Sequence, residues 1–255
     1  KSPVSLMKRF TFLRDMKIIA PWKTLRVHAD EILKDQRLRY IMDRYATYSG
    51  SDPRKAPAVL STIAFVEESF GAWHVKGGLG QLTETVYQRA LDVGVKFHLD
   101  SPVSAINTAG KKVTGVTLFD GTVVEADVVV ANADASLVYN KLITGNKRAL
   151  KKARKNIEKA DVSVAGFSLL LGMRKDPDQV LNHHTILFPE NYDAEFDAIF
   201  TDGKPVEKPT IYICAPQDPA MSKDETLEGW FVLVNAPTHG QFDWKDKEFA
   251  RSYAN

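Results

Sequence analysis

Cysteine is nearly absent from this chain: one residue, Cys214, in 255. That excludes an internal disulfide and a multi-cysteine metal site, and it fits a reducing compartment. Cys214 stands in the apolar run Thr210-Ile211-Tyr212-Ile213-Cys214-Ala215, which reads as a buried, inert thiol rather than a nucleophile. A surplus of one charge is lacking too. The 34 basic and 32 acidic residues leave a net charge of +2, which gives no footprint for nucleic acid. No apolar run reaches about 18 residues, so no helix is expected to span a bilayer, and no secretory signal is recognisable. No G-x-S-x-G elbow, H-E-x-x-H helix or calcium loop occurs. The G-x-G-x-x-G fingerprint of a dinucleotide fold is also missing. Its nearest candidate, Lys76-Gly77-Gly78-Leu79-Gly80, lacks the spacing and the acidic residue about 20 positions on. The chain opens on Lys1 without Met, and the expectation is an excised central piece of a longer enzyme.

Three regions separate by pattern, with expected boundaries at 70/71 and 135/136. Residues 1–70 read as helical. Leu25, Ile32, Leu33, Leu38, Ile41, Met42 and Tyr45 recur at helical spacing, Gly50-Ser51-Asp52-Pro53 interrupts, and 58–70 resumes. Met7, Phe10, Phe12, Met16 and Trp22 read as core or as the wall of an apolar tunnel. Residues 71–135 alternate: a helix over 81–92 stopped by Gly94, strands over 96–99, 103–106, 113–119 and 122–125, and a hairpin turn at Asp120-Gly121. Val128-Val129-Val130 predicts a central strand buried on both faces, ending in the small residues Ala131-Asn132-Ala133. Residues 136–255 open with a basic helix to Lys159. They continue as strands over 163–172, 185–188, 210–215 and 229–236, with a short helix over 191–200.

Four features carry candidate chemistry. Asp15, beside Arg14 at an apolar-rich helix start, is either an N-terminal helix carboxylate or surface ion pair, or an acid projecting into an apolar cavity, where its pKa would rise. Gly77-Gly78 ahead of a helix either ease the helix start or let a flat ring or an anion lie against bare backbone. The run 147–155 (KRALKKARK) is a solvated helix face or a contact with an anionic membrane. His183-His184 is the best metal lookalike. Adjacent strand residues point to opposite faces, which argues against shared chelation and leaves a pocket-lining role open; no metal is expected.

In order along the chain, Phe12-Leu13-Arg14-Asp15-Met16, Gly71-Ala72-Trp73-His74-Val75-Lys76-Gly77-Gly78, Val128 to Asp134, His183-His184-Thr185-Ile186-Leu187-Phe188 and Tyr212-Ile213-Cys214-Ala215-Pro216 resemble the bacterial-type phytoene desaturases, among the carotenoid and retinoid FAD oxidoreductases. The fold this implies is α/β (α+β): part of a flavin amine oxidase-like FAD-binding domain (71–135) interleaved with a substrate domain of helices (1–70) and a mixed, largely antiparallel sheet (136–255). The implied activity is FAD-dependent desaturation of a long polyene such as phytoene. A polyene isomerase, saturase or oxygenase, or a non-catalytic apolar-ligand module, stands as the alternative. The resemblance places Asp15 opposite the flavin ring and Gly77 and Gly78 beside the isoalloxazine. It places Val103 at the adenine and Ala131, Asn132 and Ala133 at a strand end near the cofactor. An arginine that accompanies the acid in some relatives is Ile18 here, which leaves Asp15 alone. It further implies a cytoplasmic, peripherally membrane-associated protein, and little FAD retention or turnover by the isolated segment.

Overall fold

The computed structural model describes residues 12–143, 147–160, 162–176, 178 and 181–255; Met7 and Phe10 lie outside them. The chain forms two compact units. One joins the segments Lys1–Thr85 and Val162–Asn255, and the other is Val86–Asp161. The expected first region and residues 162–255 of the third therefore share one unit, and the unit boundaries fall at 85/86 and 161/162, against the expected 70/71 and 135/136.

In the two-segment unit, helices α1 (Phe12–Ile19), α2 (Leu25–Ile32), α3 (Gln36–Arg44) and α4 (Thr62–Phe70) come first; α5 (Leu79–Asp92) follows the glycine loop and runs past the 85/86 boundary. Thr24 caps α2 by accepting from the Val27 amide, and Asp35 caps α3 by accepting from the Arg37 amide. Leu25, Ala46 and Ala56 are buried together, with Met42, Tyr45 and Leu60 packed against them.

The shorter unit holds an antiparallel meander, β1 (Val103–Ala109), β2 (Lys112–Leu118) and β3 (Val123–Glu125), in that spatial order. The Asp120-Gly121 turn forms, closed by a bond from the Gly121 amide to the Leu118 carbonyl. Helix α5 stops as expected: Gly94 takes φ +85° and its amide bonds back to Leu91. Two expected strands do not form. Residues 96–99 run as loop and turn, where Phe97 packs its ring 4.4 Å from that of Tyr87. Val128–Val130 is neither a strand nor buried: Val128 is 76% exposed and Val130 88%. A strand covered on both faces needs neighbours on both edges, and among the described residues none pairs with it. The basic helix is also broken. A short helical stretch at Ala135–Leu137 widens into a π-turn at Val138–Leu142, and Ile143 then bridges to Ile106 of β1 before α6 (Lys147–Glu158) begins. On α6 Leu150 is buried while Lys151, Lys152 and Lys155 face solvent; the side chains of 147–149 lie outside the described set.

Returning to the first unit, β4 (Ala165–Arg174), β5 (His184–Leu187), α7 (Asp193–Asp197), β6 (Ile211–Cys214), β7 (Leu227–Ala236) and α8 (Lys247–Ala254) complete it. The four strands form a fully antiparallel sheet in the order β4-β7-β6-β5. Burial alternates residue by residue along β4, so one face is covered and the other open. Helix α8, bearing Phe249 and Tyr253, carries no signal in the sequence reading. It packs with Trp244 against Phe167 of β4.

Polar contacts stitch the two segments of this unit together. Arg26 of α2 bonds both Asp43 and Asp193, and Arg54 reaches Asp52 and Asp197. Burial pushes the Asp43 carboxyl up to about 6, although Arg26 pulls the other way. Gly50, at φ +64°, sits so close to Ser163 that a Cβ would lie 2.4 Å from the serine Cβ. Glu195 of α7 is fully buried and accepts from the Thr210 amide at 2.7 Å and from the Asn235 side chain at 2.8 Å. It thereby ties the helix to β7 and to the residue preceding β6. Glu195→Leu keeps the volume but strands both donors, at about 1–3 kcal/mol each. Urea unfolding should show a loss of about 2–6 kcal/mol; an unchanged midpoint would deny that role.

Candidate functional site

The open face of the four-stranded sheet carries the candidate site. Leu170 on β4 pairs with Phe231 on β7, Phe231 with Cys214 on β6, and Cys214 with His184 on β5. Cross-strand partners share a face, so one row crosses the sheet from apolar to polar. Leu170 is 82% exposed, and it faces a cleft of about 1090 Å³ rather than a core. The opposite wall is the loop Ala72–Gly78 with Leu79, and Met221 and Pro216 close one end.

Two features hold this loop against the sheet unit. Gly77 and Gly78 take φ of +81° and +86°, which L side chains rarely adopt, and a Cβ on Gly78 would meet the Met221 methyl at 3.2 Å. The Gly77 amide donates to Asp218 Oδ2 at 2.6 Å, and His74 Nε2 lies 2.9 Å from the same oxygen. These bonds, with a third from the Ala220 amide, hold the Asp218 carboxyl down at about 2; the Gly77 contact contributes most.

From His74 a continuous set of contacts crosses the polar end of the cleft. His74 Nδ1 lies 3.3 Å from His183 Nε2, His183 Nδ1 lies 3.0 Å from His184 Nε2, and His184 Nδ1 lies 2.8 Å from the Tyr212 hydroxyl. Burial, and then the neighbouring His183, hold His184 below the usual histidine value. Burial first, with Cys214 adding, pushes Tyr212 up to about 12.

The expected opposition of His183 and His184 is thus overturned. Strand β5 begins at His184, so His183 lies outside the pleat and its ring turns back onto its neighbour. Cys214 is half-buried at the cleft wall, not sealed in the core. With the two histidines it presents donor atoms within 4.8 Å of one another. Both nitrogens of each histidine are, however, already engaged by other side chains.

The other sequence candidates stand apart from this groove or from its unit. Asp15, on α1, is half-exposed, 3.5 Å from the Arg14 guanidinium, and is not among the residues lining the cleft. Val103 is half-buried at the start of β1, an edge strand of its sheet, and Ala131, Asn132 and Ala133 are exposed loop residues. The line of histidine contacts itself carries no signal in the sequence reading. His74 and His183 are 109 residues apart, and no local pattern links them.

The class follows from comparison with known proteins. Residues 6–202 match the flavin containing amine oxidoreductases, and the chain belongs to that family. Within it the chain is 37% identical over 224 residues to the zeta-carotene-forming phytoene desaturase of Myxococcus xanthus, covering 86% of this chain and 42% of that protein. It is 35% identical over 215 residues to the 1-hydroxycarotenoid 3,4-desaturase of Flavobacterium sp. (strain P99-3), covering 82% and 42%. The resemblance read from the five ordered motifs is borne out, and the chain spans about two fifths of these relatives' length. The fold is shared with an oxidoreductase from Methanosarcina mazei at a TM-score of 0.63 and 16% identity, over 100% of this chain and 56% of that one.

The low Asp218 value makes a pH prediction. A depressed carboxyl stabilises the folded loop above about pH 4, and that contribution disappears as pH falls through about 2. The Gly77 amide resonance should titrate with a midpoint near 2 and lose that titration in Asp218→Ala. A midpoint at the ordinary aspartate value near 4 would contradict the contact.

Proposed function

We propose that this chain is the central portion of an FAD-dependent desaturase that introduces double bonds into a carotenoid precursor such as phytoene. The observation that carries the reading is the cleft: an apolar wall led by Leu170 and Phe231 on the open sheet face, opposed by a glycine loop. A polyene offers only dispersion and hydrophobic contact, so its site must be an apolar groove. FAD, when bound, supplies the oxidising power for dehydrogenation.

The residues present fit one wall of a flavin site. Gly78 lines the cleft, and both Gly77 and Gly78 hold a left-handed conformation that a Cβ would strain. We assign these two glycines to the isoalloxazine edge. Val103 and Ala131, Asn132 and Ala133 keep the cofactor contacts the resemblance implies. The outer edge of β1 at Val103 leaves backbone groups for a nucleotide base. For Asp15 we keep the role the resemblance implies, a carboxylate that would stabilise developing allylic cation charge, although it does not line this cleft. The relatives' polyene substrates support a protein that meets a membrane surface. Among the described residues no helix is long and apolar enough to cross one.

The protein chemistry then divides into three tasks. The sheet face binds and straightens the polyene and excludes water. The glycine loop fixes the distance from the polyene to the cofactor. The polar end of the row handles protons.

The test is product analysis with the full-length protein, using phytoene and its C30 analogue. Desaturation lengthens conjugation and shifts absorbance to the red. A product shifted to the blue, or of unchanged conjugation with oxygen added, would replace this reading with a saturase or an oxygenase. Leu170→Glu tests the cleft separately. The position is open, so folding should be unaffected, while polyene affinity measured by quenching of tryptophan emission should fall at least about tenfold, or 1.4 kcal/mol. Unchanged affinity would place the polyene elsewhere.

A further inference from the structure

The polar end of the cleft holds five side chains in one unbroken hydrogen-bonded line: Asp218, His74, His183, His184 and Tyr212. Its direction follows from a single group. Asp218 already accepts the Gly77 amide and, as a carboxylate, can only accept. His74 must therefore carry its proton on Nε2, toward Asp218. In a neutral ring the other nitrogen is then an acceptor, so His74 Nδ1 takes the proton of His183 Nε2. The same logic gives His183 Nδ1 the proton of His184 Nε2, and gives His184 Nδ1 the hydroxyl proton of Tyr212. Each histidine is the Nε2–H tautomer, and Tyr212, which donates to His184 and also meets Cys214, lines the cleft.

We propose that this line is a proton relay: Tyr212 is the base at the cleft wall, and the proton it accepts comes to rest as an imidazolium–carboxylate pair at His74 and Asp218. The source of that proton rests on the desaturase reading, because removing two hydrogens from a polyene releases one as a hydride, to the oxidised flavin, and one as a proton. The proton step balances as follows. The C–H bond next to the hydride-depleted carbon breaks, and its electron pair becomes the second bond of the new alkene. The proton bonds to Tyr212 Oη. The original hydroxyl proton moves to His184 Nδ1, the proton of His184 Nε2 to His183 Nδ1, and the proton of His183 Nε2 to His74 Nδ1. Four bonds to hydrogen form and four break, and no electrons travel along the line. His74 ends with both nitrogens protonated against Asp218, so the charge is deposited at the far end from the apolar substrate. Low dielectric at the cleft wall would make a charge left on Tyr212 itself costly.

The geometry favours this over chelation. A metal held by His183, His184 and Cys214 would have to take each histidine nitrogen it used from a side chain that already engages it.

The experiment uses the full-length protein with ¹⁵N-labelled histidine rings. Long-range ¹⁵N–¹H correlation at neutral pH should show the three rings as Nε2–H tautomers. Any of the three as Nδ1–H, or ring shifts of metal ligands together with stoichiometric zinc in the purified protein, would overturn the relay. Tyr212→Phe retains the ring packed against Phe231 and His184. It should leave polyene affinity unchanged, lower turnover at least tenfold and bring the solvent deuterium isotope effect to near 1. Turnover and isotope effect equal to wild type would also overturn it. If the wild-type protein yields no desaturated product, the desaturase reading fails by itself. The tautomer measurement, which needs no substrate, then decides the relay.

Discussion

The site depends on one carboxylate. Asp218 takes the Gly77 amide and His74 on the same oxygen and the Ala220 amide on the other. Through the first two bonds it holds the glycine loop across from the sheet, which is what makes a cleft out of an otherwise bare face. The same oxygen dictates which imidazole nitrogens carry protons. Geometry and proton order at this site therefore share one cause.

The second organising feature is the row Leu170, Phe231, Cys214 and His184. Antiparallel register places one residue from each strand side by side, so four positions distant in sequence become a graded surface. The apolar end suits a hydrocarbon, and the polar end suits proton handling. Because the row is backbone-paired along its length, the spacing between the two chemistries is fixed to sheet precision, unlike that of side chains carried on loops.

Much of this was legible beforehand where the determinant was local. The runs read as strands at 163–172, 185–188, 210–215 and 229–236 match all four strands of the larger sheet to within about two residues, Gly94 predicted the end of α5, and Asp120-Gly121 predicted a turn. Failures arose where the determinant was not local. Val128–Val130 has the composition of a buried strand, but composition cannot supply neighbours on either edge. His183-His184 was judged by strand geometry, and the strand starts one residue too late for that rule. The five motifs found the family; they could not show that His74 meets His183, or that Cys214 faces a cleft.

The larger unit is discontinuous: its two segments are separated by the whole of Val86–Asp161, and Gly50 packs directly on Ser163. During synthesis the intervening meander, built from contacts between close neighbours, can close on the ribosome before β4 has left the exit tunnel. The first segment can close its own small core around Leu25, Ala46 and Ala56, but the partners of Arg26, Arg54 and Gly50 in the second segment arrive only after a wait. Late arrival of β7 and α8 makes that waiting interval the period of greatest exposure to self-association, and it gives a chaperone a defined stretch of chain to shield.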